Sequence, residues 1–93
     1  MMFSFEVGKR ERHRVVYEDS KLTSTSKITI DGIPIQKKFR MYISSKEEFN
    51  FEVGGGEKHD VRILIKRPFL ARGLRAYKYD VFIDGKLYNT YEG

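Results

Sequence analysis

The 93-residue chain contains no cysteine and no tryptophan, and it has only two prolines and two alanines. Without cysteine there are no disulfides and no thiol nucleophile, so the hydrophobic core alone must hold the fold together. The absence of cysteine fits a reducing compartment, and we expect a cytoplasmic protein. No apolar run approaches the roughly 18–20 residues of a membrane-spanning helix, and the N-terminus lacks a signal-peptide pattern, so we expect no membrane association.

The residue types that are common favour strands. Phenylalanine and tyrosine are frequent, and aromatic and β-branched residues suit a pleated, half-buried surface, whereas alanine favours helices. Apolar and polar residues alternate with a period of two along most of the chain, as in Phe3–Val7 and Val61–Ile65. This alternation is typical of strands that bury one face, so the sequence predicts an all-β fold.

One segment of thirteen residues occurs twice, at an offset of 46. FSFEVGKRERHRV begins at Phe3, FNFEVGGGEKHDV begins at Phe49, and eight of the thirteen paired positions are identical. Residues 1–46 and 47–93 thus form two similar halves with four predicted strands each. Because a four-stranded meander cannot bury its apolar face alone, we predict one domain over residues 1–93, an eight-stranded antiparallel β-sandwich of two four-stranded sheets.

Two Asp-Gly pairs lie directly between alternating apolar runs, at Asp31-Gly32 and Asp84-Gly85. A two-residue hairpin turn needs positive φ at both central positions, which aspartate tolerates and glycine prefers. We therefore predict a tight hairpin at each pair. The two pairs are offset by 53 residues and not by 46, so the second half holds seven extra residues near KRPFLARGLR.

The order of these motifs resembles that of the Fas apoptotic inhibitory molecule family. In that family a His-x-hydrophobic strand leads to a hydrophobic-Asp-Gly turn, later strands carry Lys-x-aromatic-x-Met-aromatic and Lys-Glu-x-Phe-x-x-Val-Gly, and a Tyr-x-Tyr strand precedes a second Gly turn. The matching positions here are His13, Asp31-Gly32, Lys37 or Lys38 with Phe39, Met41 and Tyr42, and then Lys46, Glu47, Phe49, Val53, Gly54, Tyr77, Tyr79 and Asp84-Gly85.

This resemblance spans nearly the whole chain. It implies an antiparallel β-sandwich of eight strands, in agreement with the strand count. Animal members of the family are linked to the suppression of apoptosis as non-enzymatic protein binders. For this chain the resemblance therefore implies a binding or scaffolding domain.

The two histidines, His13 and His59, occupy equivalent positions of the repeat at the starts of strands. As a pair they could be metal ligands, but two imidazoles without a third ligand make a poor zinc or iron site, and no HExxH or CxxC motif is present. We instead interpret them as histidines at the rim of the sheets, each hydrogen-bonded to a carbonyl. The expectation is that the domain holds no metal and no cofactor.

Catalytic interpretations have little support in the sequence. A general-acid pair needs one carboxyl group in an apolar pocket. The acidic residues that cluster near one strand have neighbouring lysines, and we expect them in solvated turns: Glu47, Glu48, Glu52 and Glu57. GGGE at Gly54 leads into a strand and not into a helix, so we interpret it as a flexible turn and not as a phosphate-binding loop. We expect no enzymatic activity.

The positive charge of the chain is concentrated in one region. Of the formal net charge of +5, the stretch Lys58–Lys78 contributes seven Lys/Arg against the single Asp60, a net of +6. Basic residues interleaved with aromatics can bind single-stranded nucleic acid or another polyanion, but a loop of this kind can also recognise a protein or simply cap the end of a sandwich. The candidate binding residues are Lys66, Arg67, Phe69, Leu70, Arg72, Arg75 and Lys78.

A second set of candidates consists of apolar residues whose parity directs them away from the core. If they share one sheet, they form an exposed patch that fits a partner or a homodimer, and if a bulge or a register shift turns them inward, they belong to the core. These residues are Val16, Tyr42, Leu64, Phe82 and Tyr88.

The leading functional hypothesis is a non-enzymatic protein-interaction or scaffolding domain that is a monomer or a weak homodimer. Its binding surface would use the basic-aromatic loop, the outward apolar residues, or both. The alternative is weak binding of nucleic acid or another polyanion through Lys66–Lys78, which would weaken steeply with salt because each phosphate contact releases counterions.

Overall fold

The computed structural model describes residues 1–20, 25–39, 46–66 and 77–93, and within these ranges the chain contains eight strands and no helix. The all-β prediction is therefore confirmed. The strands are β1 (Met2–Val7), β2 (His13–Ser20), β3 (Thr25–Ile30), β4 (Ile33–Phe39), β5 (Lys46–Val53), β6 (His59–Lys66), β7 (Lys78–Ile83) and β8 (Lys86–Glu92).

The strands form two four-stranded sheets with the orders β1-β2-β3-β4 and β5-β6-β7-β8. The strand pairs are antiparallel, and strands that follow one another in sequence are neighbours in each sheet. Each half of the sequence repeat thus builds one meander, as the repeat predicts. By contacts, the chain divides into two compact units, one of Met1–Met41 with Val53–His59 and the other of Tyr42–Glu52 with Asp60–Gly93.

Each sheet buries the residues of one parity. In the first sheet the buried apolar side chains are Phe3, Phe5, Val7, Val15, Tyr17 and Ile28, and in the second they are Phe49, Val53, Val61, Ile63, Ile65, Tyr79 and Val81. Burying one large apolar side chain contributes about 1.5–3 kcal/mol. Among the described residues of this disulfide-free chain, these thirteen side chains are the main source of stability.

Both Asp-Gly pairs form the predicted turns. The φ angles are 52° and 84° at Asp31 and Gly32, and 53° and 81° at Asp84 and Gly85. Each turn is also bonded to the strand before its hairpin. The carboxylate of Asp31 accepts a hydrogen bond from the backbone N–H of Arg14 at 2.9 Å, and that of Asp84 accepts one from the N–H of Asp60 at 2.9 Å.

A β-bulge follows each Asp-Gly turn at the equivalent place. In the first sheet Ile28 pairs with Gln36 and Thr29 with Pro34, so Ile35 is the extra residue. In the second sheet Val81 pairs with Asn89 and Phe82 with Leu87, so Tyr88 is the extra residue. Because opposite residues of a pair share one face, Leu87 lies on the same face of the sheet as Phe82.

Glycine is required at the end of the first strand of each repeat. Gly8 and Gly54 both have a φ of 107°, and a Cβ atom there would collide with the carbonyl oxygen of Glu11 or of Glu57, respectively. The two turns therefore fold back tightly, which brings the glutamate of each turn close to its start. In the part of the chain that the structure describes, no helix has the length and apolarity to cross a membrane.

Candidate functional site

The second sheet has an outer face, opposite its buried residues, that combines apolar and charged side chains. We call this surface the second-sheet face. It is built by Glu48 from β5, Arg62, Leu64 and Lys66 from β6, Lys78, Asp80 and Phe82 from β7, and Leu87 and Thr90 from β8.

The centre of the second-sheet face is apolar. Arg62 is paired with Phe82 and Leu64 with Asp80, so Leu64 and Phe82 are diagonal neighbours on adjacent strands. Both are half-buried. Leu87 lies opposite Phe82 on β8 and is 59% exposed. An apolar strip thus crosses three strands and faces solvent at its β8 end.

Arg62 covers one end of this strip. Its guanidinium carbon lies 5.4 Å from the centre of the Phe82 ring, and its Nε lies 2.5 Å from Oε2 of Glu48. A guanidinium over an aromatic face is attracted by the ring quadrupole, and the carboxylate fixes its direction. Both partners of this ion pair are exposed, so it positions the arginine more than it stabilises the fold. A depression of about 440 Å³ lies beside Arg62 and Phe82 and is lined also by Asn50 and Asp60.

Asp80 is a buried carboxylate on the second-sheet face. Lys66 Nζ lies 3.0 Å from its Oδ2, and Thr90 Oγ1 donates a hydrogen bond to its Oδ1 at 2.8 Å. Burial raises the pKa of Asp80, but the bonds from Thr90 and Lys66 outweigh it, and the pKa lies below its ordinary value. Lys66 on β6 and Thr90 on β8 therefore hold the charged carboxylate of Asp80 beside Leu64.

The outward apolar residues predicted from the sequence, where the structure describes them, lie in two different sheets. Leu64, Phe82 and Tyr88 belong to the second sheet, and Tyr88 is 52% exposed at the bulge of β8. Val16 belongs to the first sheet, where its cross-strand partners are Ser4 and Thr29. Tyr42 lies outside the described residues. Sequence parity along β8 alone missed Leu87; the two-residue Asp84-Gly85 turn was the available signal, because it pairs Ile83 with Lys86 and therefore Phe82 with Leu87.

The predicted basic site lies mostly in residues that the structure does not describe. Lys66 ends β6 and Lys78 begins β7, where the two residues are cross-strand partners. Lys66 is engaged by Asp80, as given above. The remaining candidates lie outside the described residues: Arg67, Phe69, Leu70, Arg72 and Arg75.

A second polar arrangement occupies the β1–β2 and β5–β6 turns, which belong to the same compact unit. The carboxylate of Glu57 accepts hydrogen bonds from the backbone N–H groups of Lys9 at 2.8 Å, Arg10 at 2.8 Å and Glu11 at 3.2 Å. In return, the carboxylate of Glu11 accepts bonds from Gly55 at 2.7 Å and Gly56 at 3.1 Å. Each glutamate thus binds the backbone of the other repeat's turn.

The structure corrects two expectations from the sequence, for the Gly54–Gly56 segment and for Glu47. Glu57 lies in a turn, as expected, and its carboxylate is bonded to three backbone amides. The Gly54–Gly56 segment was interpreted as flexible, but two of its amides hold Glu11. Glu47, another of the expected surface acids, is 9% exposed. Sequence proximity to lysines did not reveal these interactions because they join residues more than 40 positions apart.

Both histidines are bonded to carboxylates. His13 Nε2 lies 2.6 Å from Glu11 Oε2, and His13 Nδ1 lies 2.5 Å from Asp31 Oδ2. In the second repeat, His59 Nε2 lies 2.5 Å from Glu57 Oε2. The expected carbonyl partner was wrong at His13, and the repeat itself carried the missed signal, because a glutamate stands two residues before each histidine.

The hydrogen bonds in these turns shift several pKa values. Hydrogen bonds from the Gly55 amide, from His13 and from the Gly56 amide lower the pKa of Glu11 to about 2. Bonds from His59 and from the amides of Lys9, Arg10 and Glu11 lower that of Glu57 to about 2. The hydrogen bond from His13 likewise lowers the pKa of Asp31. In the described ranges, no group of three or more histidine and carboxylate side chains is arranged to hold a metal ion.

Comparison with known proteins gives no relative from which a role could be inferred: no family model and no curated protein matches the sequence significantly.

Proposed function

We propose that the chain is a non-enzymatic protein-interaction domain and that the second-sheet face is its binding surface. The observation that carries the proposal is the strip of Leu64, Phe82 and Leu87 between two charge pairs, Arg62 with Glu48 and Lys66 with Asp80. An apolar centre with a polar rim is the usual anatomy of a protein interface. Aromatic residues and arginine are enriched at protein interfaces, and Phe82 and Arg62 supply both types here.

Two further features support a binding role over catalysis. The His13, Glu11 and Glu57 side chains are engaged in hydrogen bonds that hold turns together, which is a structural use of these groups. The resemblance of the motif order to the Fas apoptotic inhibitory molecule family, whose animal members are non-enzymatic protein binders, supports the same proposal. A fold does not determine a function, so the surface chemistry carries more weight.

The test is capture of partners from the lysate of the native host, with and without nuclease, by the wild type and by two matched variants. Phe82→Thr removes the aromatic centre of the second-sheet face. Val16→Thr makes a similar change on the first sheet, among Ser4 and Thr29, and serves as the control. We expect at least one protein that is retained by the wild type and by Val16→Thr and is released by Phe82→Thr.

The affinity of the purified partner for the wild type and for Phe82→Thr then gives the size of the effect on binding. Truncating a central aromatic residue of an interface costs about 2 kcal/mol or more, so we expect Phe82→Thr to weaken binding by at least roughly thirtyfold. Equal retention of every captured protein by both variants would contradict the proposal. Partners that disappear only when nuclease is added would favour polyanion binding instead.

A further inference from the structure

The His13 ring lies between two carboxylates that come from different turns. Glu11, which faces Nε2, belongs to the β1–β2 turn, and Asp31, which faces Nδ1, belongs to the β3–β4 turn. A carboxylate is an acceptor only, and a neutral imidazole has a single N–H. Both bonds can therefore form at once only when the ring carries two protons and a positive charge.

Both carboxylates that contact His13 also accept hydrogen bonds from backbone amides. Asp31 Oδ1 holds the N–H of Arg14 at 2.9 Å, and Glu11 holds the amides of Gly55 and Gly56. The charged groups facing the ring within the described residues are Glu11 and Asp31, with Glu57 next to Glu11 through its bond to the Glu11 amide. Through His13, three turns share one proton-dependent contact.

We propose that His13 is a proton-operated clasp that fastens the Asp31-Gly32 turn to the β1–β2 turn and opens when the ring loses a proton. The neutral ring keeps one of the two bonds and turns a lone pair toward the other carboxylate, which is repelled. The turn on that side is then held by its remaining backbone bonds alone. This inference does not depend on the proposed binding function.

The expected pH dependence follows from the direction of the shift. The hydrogen bond to Asp31 has the largest effect on the pKa of His13, and the bond to Glu11 the next largest. Both raise this pKa above its ordinary value of 6.5. The stabilisation is fully present below pH 6.5, the pKa of the unfolded chain, and it is lost as the pH rises through the pKa of the folded state. The clasp is closed in mildly acidic solution and opens on the alkaline side.

The direct test is an NMR titration of the imidazole resonances in the full chain. We expect the ¹⁵N shifts of His13 to show protons on both ring nitrogens at pH 6.5 and a titration midpoint above that value. The amide resonances of Arg14 and Gly55, which are bonded to the two carboxylates, should move with the same midpoint. A midpoint at or below 6.5, or a singly protonated ring at pH 6.5, would overturn the proposal.

Three variants separate the clasp from a merely structural histidine. Glu11→Gln and Asp31→Asn each remove one negative charge from the ring and should each lower the midpoint of His13. His13→Gln leaves His59 as the only imidazole, which assigns the resonances. The difference in the free energy of unfolding between the wild type and His13→Gln should shrink as the pH rises from 6.5. If neither carboxylate variant moves the midpoint, the clasp does not exist; this readout holds even if His13→Gln fails to fold.

Discussion

At the scale of single residues, the most informative side chains are Glu11 and Glu57. They occupy the same position in the two repeats, and each binds backbone amides in the turn of the other repeat. A carboxylate that accepts several amide hydrogen bonds stays ionised far below its ordinary pKa, and its protonation removes those bonds. Through these hydrogen bonds, Glu11 and Glu57 connect two turns whose residues are more than 40 positions apart in the sequence.

This connection predicts a loss of stability in acid. The pKa of Glu57 is about 2 in the folded state and 4.5 ordinarily, so its stabilisation is present above pH 4.5 and is lost as the pH falls through about 2. In urea unfolding measured between pH 4.5 and pH 2, Glu57→Gln should lose less stability than the wild type. Glu52→Gln, on the exposed side of β5, should behave like the wild type. A Glu57→Gln profile parallel to the wild type would contradict this role.

Two adjacent glycines in the β5–β6 turn differ in what they can tolerate. At Gly54 the positive φ and the Glu57 carbonyl exclude a side chain, whereas at Gly55 an added Cβ would meet Glu11 Oε2 only at 4.0 Å. Gly54→Ala should lower the free energy of unfolding by about 1–3 kcal/mol, the usual cost of a strained backbone. Gly55→Ala should change it little. Denaturant unfolding of both variants measures the contrast, and equal effects would be inconsistent with the described turn.

At the scale of elements, the alternation of each strand decides which residues stabilise the fold and which are available for binding. Ile63 is fully buried and Leu64, the next residue of β6, is half-buried on the second-sheet face. The strand order and the hairpin turns followed from the sequence, because period-two patterns and Asp-Gly pairs are local signals. The bulges could not be predicted from the sequence, because an extra residue at Ile35 or Tyr88 changes the strand register without changing the local pattern of apolar and polar residues.

The two neighbours on β6 provide a prediction for this element. Ile63→Ala should cost about 2–5 kcal/mol of unfolding free energy, because it leaves a cavity among buried side chains. Leu64→Ala should cost clearly less, because the side chain it truncates is already in partial contact with solvent. Thermal or urea unfolding of the two variants distinguishes these outcomes. A larger loss for Leu64→Ala would mean that the outer face of the second sheet is covered.

At the scale of the whole molecule, the repeat explains why the two halves form similar sheets. We therefore look for the binding surface where the two halves differ. In the described part of the first sheet, the predicted outward residue Val16 has Ser4 and Thr29 as its cross-strand partners. The second sheet places Leu64 and Phe82 on adjacent strands. The repeat predicts that Leu64 and Phe82 share a sheet and that Val16 belongs to the other one, but the register that makes Leu64 and Phe82 diagonal neighbours became visible only in the structure.

The most direct test of the central claim is hydroxyl-radical footprinting of the domain, free and bound to its captured partner. If the second-sheet face is the binding surface, the side chains of Phe82 and Leu87 become less reactive in the complex, while the reactivity of Val16 on the first sheet does not change. Protection confined to the first sheet, or to Phe69 and Leu70 of the basic region, would contradict the claim.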